Sequence, residues 1–152
     1  SLKEKLVIAS ESSILCPSNF TQLTISSYLA DQPWRDQIAS FCDLYKVRRD
    51  AMLESLEEYF PATAQWTKPG GGFYVWVTLP PEIDTTALMP KAIVAKVAYV
   101  PGTAFYADGF GSWSLRLSYC YPTPERIREG VKALGGVIKQ EMASRKGFEL
   151  KG

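Results

Sequence analysis

Residues 66–80 read Trp66-Thr-Lys-Pro-Gly-Gly-Gly-Phe-Tyr-Val-Trp-Val-Thr-Leu-Pro80, and this stretch predicts a turn followed at once by a strand. The turn is indicated because proline restricts its own backbone and three consecutive glycines adopt angles that residues with a Cβ avoid. The residues after it alternate between two apolar faces, one with Phe73, Val75, Val77 and Leu79, the other with Tyr74, Trp76 and Thr78. We therefore expect a strand buried on both sides, which Pro80-Pro81 ends.

On the N-terminal side of this stretch, apolar spacing predicts three helices. Leu2 to Ile14 forms a weak one, and a second extends from Asn19, in a capping box with Gln22, to about Ala30. The third extends from Pro33 to about Phe60, which is about 40 Å at the usual helical rise. A helix of this length is expected to be the spine of the molecule.

Beyond Pro61 the pattern predicts alternating strands and helices. Strands are predicted at residues 64–67, 73–79, 97–100 and 113–119. Asp84 is expected to cap a short helix that Pro90 breaks or restarts. Thr123-Pro124-Glu125 begins the last helix, which Gly135-Gly136 should weaken. The tail from residue 146 to residue 152 is expected to be frayed.

Composition narrows the class of protein. The 152 residues suit one domain, and 46% hydrophobic with 22% charged residues is typical of a globular chain. A net charge of +1 argues against a nucleic-acid partner or an anionic membrane surface. There is no apolar run long enough to span a bilayer and no signal-peptide pattern at residues 1–6, so we expect no membrane partner and a cytoplasmic location.

The sequence contains no histidine, which restricts the chemistry further. Ser-His and Cys-His nucleophile pairs, a histidine general base and Cys/His metal clusters are excluded. Cys16, Cys42 and Cys120 are far apart and odd in number, which favours reduced core thiols over disulfides or zinc. No metal site is expected.

Several residues could carry chemistry, each with an ordinary structural alternative. Gly70-Gly71-Gly72 matches neither of the phosphate-binding loop patterns, Gly-x-Gly-x-x-Gly and Gly-Lys-Ser/Thr, so a hairpin turn is favoured. Arg116 shares a strand face with two serines, and both carboxylate binding and a solvated strand arginine are open. Lys68 and Lys96 could form Schiff bases, but no surrounding motif indicates it. A core role is favoured over a pocket for the aromatic residues Trp66, Trp76, Trp113, Phe105 and Tyr106.

Three motifs occur in order: Pro69-Gly-Gly-Gly-Phe-Tyr-Val-Trp76, Val97-Ala-Tyr-Val-Pro-Gly-Thr-Ala-Phe105, and Ser114-Leu-Arg-Leu-Ser118 before a Pro-Glu helix. Their order and spacing resemble the C-terminal part of class I/II pyridoxal-phosphate aminotransferases of fold type I. Upstream, residues 6–10 and 18–23 resemble the segment after the cofactor site in the branch that handles aminoadipate, aromatic and branched substrates. One departure is Lys96, where the family usually ends its helix with glycine.

The resemblance implies an α/β fold of two layers (α+β), with a mainly antiparallel sheet covered by helices. Residues 1–31 would be a helical segment continuing from a large domain outside this chain. Residues 33–60 would be the long connecting helix, and residues 61–152 the small domain. Without the large domain, we expect apolar surface to be exposed from Leu6 to Leu29 or along the connecting helix, and the chain to associate through it.

The resemblance also implies an activity and a site. The full-length protein would be a homodimeric aminotransferase of amino-acid metabolism that moves an amino group between an amino acid and a 2-oxo acid, with pyridoxal 5'-phosphate as cofactor. Arg116 would bind the substrate α-carboxylate, and Gly71 and Gly72 would let backbone approach the substrate. Phe105 would line the pocket. No residue of this chain is assigned to catalysis, to the cofactor or to a metal.

The family's Schiff-base lysine lies in a Ser-x-Ser-Lys type loop, and no lysine of this chain follows such a run. We therefore expect that lysine outside this chain, and the chain to be inactive by itself. Two alternatives stay open. One is the aminotransferase-like effector domain of a winged-helix transcription regulator, and the other is a non-catalytic carboxylate-binding or interaction domain.

Overall fold

The computed structural model describes residues 1–149, which form two compact units. The first unit, Ser1–Ser40, contains α1 (Leu2–Ile14), α2 (Asn19–Asp31) and the beginning of α3 (Trp34–Tyr59). The second unit starts at Phe41 and contains the rest of α3, a sheet and two further helices.

The first unit has the predicted helices but buries none of the residues of α1 or α2. Leu6 is 62% exposed and Phe20 is 80% exposed, so the expected apolar surface is present, while association through it stays a prediction. The cap of α2 differs from the prediction, because the Ser18 side chain, not that of Asn19, accepts a hydrogen bond from the Thr21 amide.

Helix α3 is continuous, as predicted, but its apolar stripe is buried over only part of its length. Its buried residues all lie in the second half: Ala51, Met52, Ser55 and Leu56. Ile38, Phe41 and Leu44 on the first half are about half exposed. Sequence spacing therefore identified the helix but not how much of it is covered.

The sheet has four antiparallel strands in the order β1-β2-β4-β3. The strands are β1 (Gln65–Trp66), β2 (Tyr74–Thr78), β3 (Val100–Pro101) and β4 (Ser114–Ser118). The central pair β2 and β4 places Trp76 opposite Arg116. The predicted mainly antiparallel sheet is confirmed, but of the strand predicted at residues 97–100 only Val100 is in β3.

One face of the sheet is closed and the other is open. Four strand residues on the closed face join a single core with residues of α3, α4 (Thr85–Val94) and α5 (Pro124–Glu149): Val75, Val77, Leu115 and Leu117. On the open face Tyr74 is exposed and Trp76 is partly exposed. The expectation that β2 is buried on both sides is therefore wrong for this chain. Tyrosine and tryptophan, being amphipathic, tolerate such a face.

Helix α4 begins and ends on recognisable caps. The Asp84 carboxylate accepts hydrogen bonds from the amides of Thr86 and Ala87, at 2.8 and 3.1 Å, as predicted. The helix continues through Pro90 to Val94, so the predicted break there is wrong. Proline at this position removes one main-chain hydrogen bond without ending the helix.

The end of α4 is a Schellman turn built on a lysine. The Lys96 amide donates to the carbonyl of Ile93, and the Val97 amide to that of Ala92, each at 2.9 Å. Lys96 has a φ of 61°, in the left-handed region that favours glycine. The departure from the family's glycine is therefore accommodated by a strained lysine, and the helix still ends there.

Helix α5 is not interrupted at its glycine pair. A Cβ on Gly135 would lie 2.5 Å from the carbonyl oxygen of Tyr59, so this glycine lets α5 approach the end of α3 closely. The helix extends past residue 146 to Glu149. The remainder of the tail that was expected to be frayed, residues 150–152, lies outside the described residues.

The three cysteines are free, but the expectation of core thiols is wrong. Cys16 and Cys42 are exposed, and Cys120 is partly exposed. Cys16 follows α1 and Cys42 lies on the uncovered half of α3, so neither position reaches the core.

Candidate carboxylate-binding site

Arg116 lies in the middle of β4, on the open face of the sheet. Its cross-strand partners are Trp76 on β2 and Val100 on β3. Among residues 1–145, whose side chains the structure describes, every ion pair uses other side chains, and the Arg116 guanidinium donates no hydrogen bond. Its N–H groups are therefore available to a ligand.

Aromatic rings surround this guanidinium. Its central carbon lies 4.0 Å from the ring centroid of Tyr74 and 4.7 Å from that of Phe105. Phe105 is in turn packed edge-on against Trp76, with centroids 5.3 Å apart, and Tyr106 lies 6.3 Å from the same indole. We call Tyr74, Trp76, Phe105 and Tyr106 the aromatic frame. Rings at these distances attract the cation and restrict the plane of the guanidinium.

Local geometry explains why these rings meet Arg116. In the antiparallel register Tyr74 is opposite Ser118, so it is the diagonal neighbour of Arg116 on the same face. Phe105 is the last residue of a 3₁₀ turn, Gly102–Phe105. A Cβ on Gly102 would lie 2.3 Å from the carbonyl oxygen of Gly111. Only glycine permits this packing, which holds the turn that carries Phe105.

The glycine run forms the turn between β1 and β2, which confirms the hairpin interpretation. Gly72 has a φ of 82°, so its backbone conformation calls for glycine. A Cβ on Gly71 would meet no atom within 4 Å, so no contact in the described part of the chain requires glycine there. The Tyr119 hydroxyl donates to the Gly71 carbonyl at 3.4 Å. That these glycines let backbone approach a substrate stays a prediction.

Sequence reasoning missed the support that α3 gives to this turn. The ring of Tyr45 packs edge-on against Phe73, with centroids 4.8 Å apart. The Arg49 side chain donates to the carbonyl of Pro69 at 3.3 Å. The signal was Arg48, the one polar residue that interrupts the apolar spacing of this helix, with Arg49 next to it. A charged pair on the buried side of a helix indicates partners there.

Sequence reasoning also misjudged the aromatic residues of the site. Tyr74 was assigned to a buried strand face, yet it contacts Arg116 from the open face. A core role was favoured for Phe105 and Tyr106, but each is 45% exposed. Strand alternation combined with antiparallel pairing could have placed Tyr74 and Trp76 beside Arg116.

The described residues bring an arginine and aromatic rings together but include no buried lysine that would suit a buried cofactor. Every lysine from Lys3 to Lys139, including Lys68 and Lys96, is exposed. No three His, Cys, Asp or Glu side chains in residues 1–145 come together as a metal site. Across the same residues, no helix has both the length and the apolar character needed to cross a membrane.

Comparison with known families gives a match over most of the chain. Residues 1–134 match the model of the family described as Aminotransferase class I and II. The chain is 45% identical over 138 residues to aromatic-amino-acid aminotransferase 1 of Thermococcus litoralis, covering 91% of this chain and 33% of that protein. It is also 32% identical over 128 residues to the HTH-type transcriptional regulator YdfD of Bacillus subtilis, covering 84% of this chain and 26% of the regulator.

Solved structures agree with the sequence matches. The multiple substrate aminotransferase of Thermococcus profundus superposes with a TM-score of 0.85 at 44% identity, over 93% of this chain and 35% of that one. The alpha-aminoadipate aminotransferase LysN of Thermus thermophilus, solved with N-(5'-phosphopyridoxyl)-L-leucine, gives a TM-score of 0.80 at 32% identity, over 93% of this chain and 36% of that one. The chain thus spans about a third of the length of the aminotransferases it matches.

Proposed function

This chain belongs to the class I and II aminotransferase family, and from that premise we propose that its protein moves an amino group between an amino acid and a 2-oxo acid. The observation that carries the proposal is the Arg116 guanidinium inside the aromatic frame, which forms no ion pair with residues 1–145. Both kinds of substrate have a carboxylate next to the reacting carbon, so one arginine serves both half-reactions.

In this proposal Arg116 binds the substrate carboxylate through two parallel N–H···O bonds, a geometry that a planar guanidinium offers and an ammonium does not. Tyr74 and Phe105 hold the plane of the guanidinium. Phe105 also lines the pocket. Gly71 and Gly72 leave room for the substrate beside the turn, since a Cβ on either would meet no neighbour.

Pyridoxal 5'-phosphate, when bound, supplies the electron sink and carries the amino group. Its lysine belongs to a part of the protein outside this chain, so the chain alone is inactive. The exposure of every lysine from Lys3 to Lys139 supports this. Reducing a mixture of chain and cofactor with borohydride should label no single lysine stoichiometrically. Stoichiometric labelling of one lysine, with amino transfer to a 2-oxo acid, would contradict it.

For the substrate we propose aromatic or aminoadipate-type amino acids, as in the names of the Thermococcus litoralis and Thermus thermophilus relatives. The apolar rings of the aromatic frame support this class. The cytoplasmic location and the homodimer stay part of the proposal. The transcription-regulator alternative is not favoured. The Thermococcus litoralis aminotransferase is more similar in sequence than the regulator, at 45% against 32% identity. The match also spans a larger share of the aminotransferases, 33% and 36%, than of the regulator, 26%.

The test is to replace Arg116 in the full-length enzyme. Arg116→Ala should lower kcat/KM by about thirtyfold to several thousandfold, since losing a charged hydrogen-bond partner costs about 2–5 kcal/mol. Arg116→Lys should keep only part of the wild-type kcat/KM, because an ammonium cannot form the two parallel hydrogen bonds. Arg128→Ala is the matched control, because Arg128 is exposed on α5 and makes only a loose ion pair with Glu54, at 3.6 Å. Normal turnover by Arg116→Ala would refute the assignment.

A further inference from the structure

A second candidate site is a groove in the second unit, between residues 96–98, the end of β4 and α5. Its volume is about 210 Å³, the share of about seven water molecules in the liquid, so a small organic molecule fits. Its floor is apolar and includes Met52, Val97, Leu117, Ile127, Val131 and Leu134. Gly130 of α5 also lines the groove, and a Cβ there would touch the Val97 side chain at an ordinary contact distance of 3.9 Å.

The ionisable residues of the groove are both cationic. Lys96 and Arg126 line it together with the hydroxyl-bearing Ser118, and no carboxylate does. Arg126 pairs with Glu129 at 3.0 Å, but both side chains are largely exposed, so this pair is weak and opens readily. An anionic group with an apolar tail therefore matches both the rim and the floor.

A second observation concerns the backbone of Lys96. With a φ of 61°, it occupies a conformation that strains any residue with a Cβ. Glycine would make the same Schellman turn without that cost. Strained non-glycine residues of this kind concentrate at ligand clamps. Lysine therefore occupies this position of the groove although its backbone conformation there is unfavourable, which points to a role for its ammonium group.

We propose that this groove binds a small carboxylate with an apolar tail of about six carbons. The ammonium of Lys96 and the guanidinium of Arg126 bind the carboxylate, and the tail packs on Val97, Ala98 and Pro122, the apolar lining residues that are not buried in the core. This ligand is distinct from the substrate proposed for Arg116, so the groove and the aminotransferase activity can be tested separately.

The probe is hexanoate, titrated into the chain while the amide signals of Val97, Ile127 and Gly130 are followed by NMR. We expect saturable shifts with hexanoate, and at least tenfold weaker binding of hexanol, which lacks the charge, and of acetate, which lacks the tail. Arg116→Ala should leave these shifts unchanged, which separates the groove from the Arg116 site. Absence of saturable shifts, or equal affinity for hexanoate and hexanol, would overturn the proposal.

Lys96→Gly is the decisive variant, because a structural role and a binding role predict different results. We expect a higher denaturation midpoint, from relief of backbone strain, together with about a two- to fivefold loss of hexanoate affinity, the usual contribution of an exposed ion pair. Arg126→Gln should show a similar loss. Lys139→Ala removes an exposed α5 charge outside the groove lining and should leave the affinity unchanged. Wild-type affinity in Lys96→Gly would overturn the proposal.

Discussion

The closed and open faces of the sheet are built from alternating residues of the same two strands. Val75, Val77, Leu115 and Leu117 on the closed face are at most 4% exposed, while Tyr74 on the open face is 43% exposed. Leu115 and Arg116 are neighbours in sequence but lie on opposite faces. A strand can therefore place one residue in the core and leave the next on an open face.

The chemistry of the two faces follows from their burial. A charge on the closed face would lose its hydration without a partner, at a cost of several kcal/mol. On the open face Arg116 keeps part of its hydration and gains two aromatic neighbours. Substitutions on the closed face should therefore affect folding, and substitutions on the open face should affect binding.

The largest expected effect comes from Leu115→Ala compared with Arg116→Ala. Leu115 is fully buried, so truncation should lower the free energy of unfolding by about 2–5 kcal/mol. Arg116→Ala should lower it by at most about 1 kcal/mol, the usual value of an exposed cation–π contact. Chemical denaturation of both variants of the chain measures the difference. Equal destabilisation would mean that the open face is part of the core.

The next largest effect is the loss of stability at high pH, through Tyr99 in the core. Burial, and secondarily the charge of Asp84, raises the pKa of Tyr99 to about 12, and its hydroxyl donates to the Thr85 carbonyl at 2.6 Å. A raised folded-state pKa favours the folded protein below the unfolded value near 10, and this contribution disappears as the pH rises from about 10 to 12. We expect about 2–3 kcal/mol of stability to be lost over that interval.

Unfolding free energies measured from pH 9 to pH 12 test this. Tyr99→Phe should be less stable at pH 9 and should lose less stability on going to pH 12. Tyr121→Phe is the control, since Tyr121 is almost fully exposed, and it should follow the parent chain. A Tyr99→Phe curve parallel to that of the parent would show that this hydroxyl does not determine the alkaline limit.

The smallest expected effect comes from substituting Tyr74, which tests whether the aromatic frame orients the Arg116 guanidinium. Tyr74→Leu removes the ring over Arg116 and should weaken carboxylate binding by the full-length enzyme about two- to fivefold, since such a contact contributes about 0.5–1 kcal/mol. Tyr74→Phe keeps a ring and should bind nearly normally. Affinity for a 2-oxo acid measures both variants. If Tyr74→Leu binds as well as Tyr74→Phe, the ring does not orient the guanidinium.

Sequence reasoning recovered much of the fold where local rules apply. Helices α1 to α3, the β1–β2 hairpin and the Asp84 cap were all predicted, because apolar period, turn residues and capping residues act over a few positions. It failed where a local rule competes with packing. Pro90 did not end α4, which continues to Val94.

The candidate site was predicted only in part. Arg116 and Phe105 were singled out from the family resemblance, and the structure brings them together. Tyr74 and the α3 residues Tyr45 and Arg49 were missed, because their contacts join segments more than 19 positions apart. No local pattern records such pairs.

The sequence by itself determined which residues alternate, where helices begin and which residue types could bind a carboxylate, because these depend on backbone geometry within a few residues. Only the tertiary structure decided that the Val75 face is covered while the Tyr74 face is open. Alternation defines two faces but does not say which is covered. That depends on where α3, α4 and α5 place their own apolar residues, and those helices are separated from the central strands along the chain.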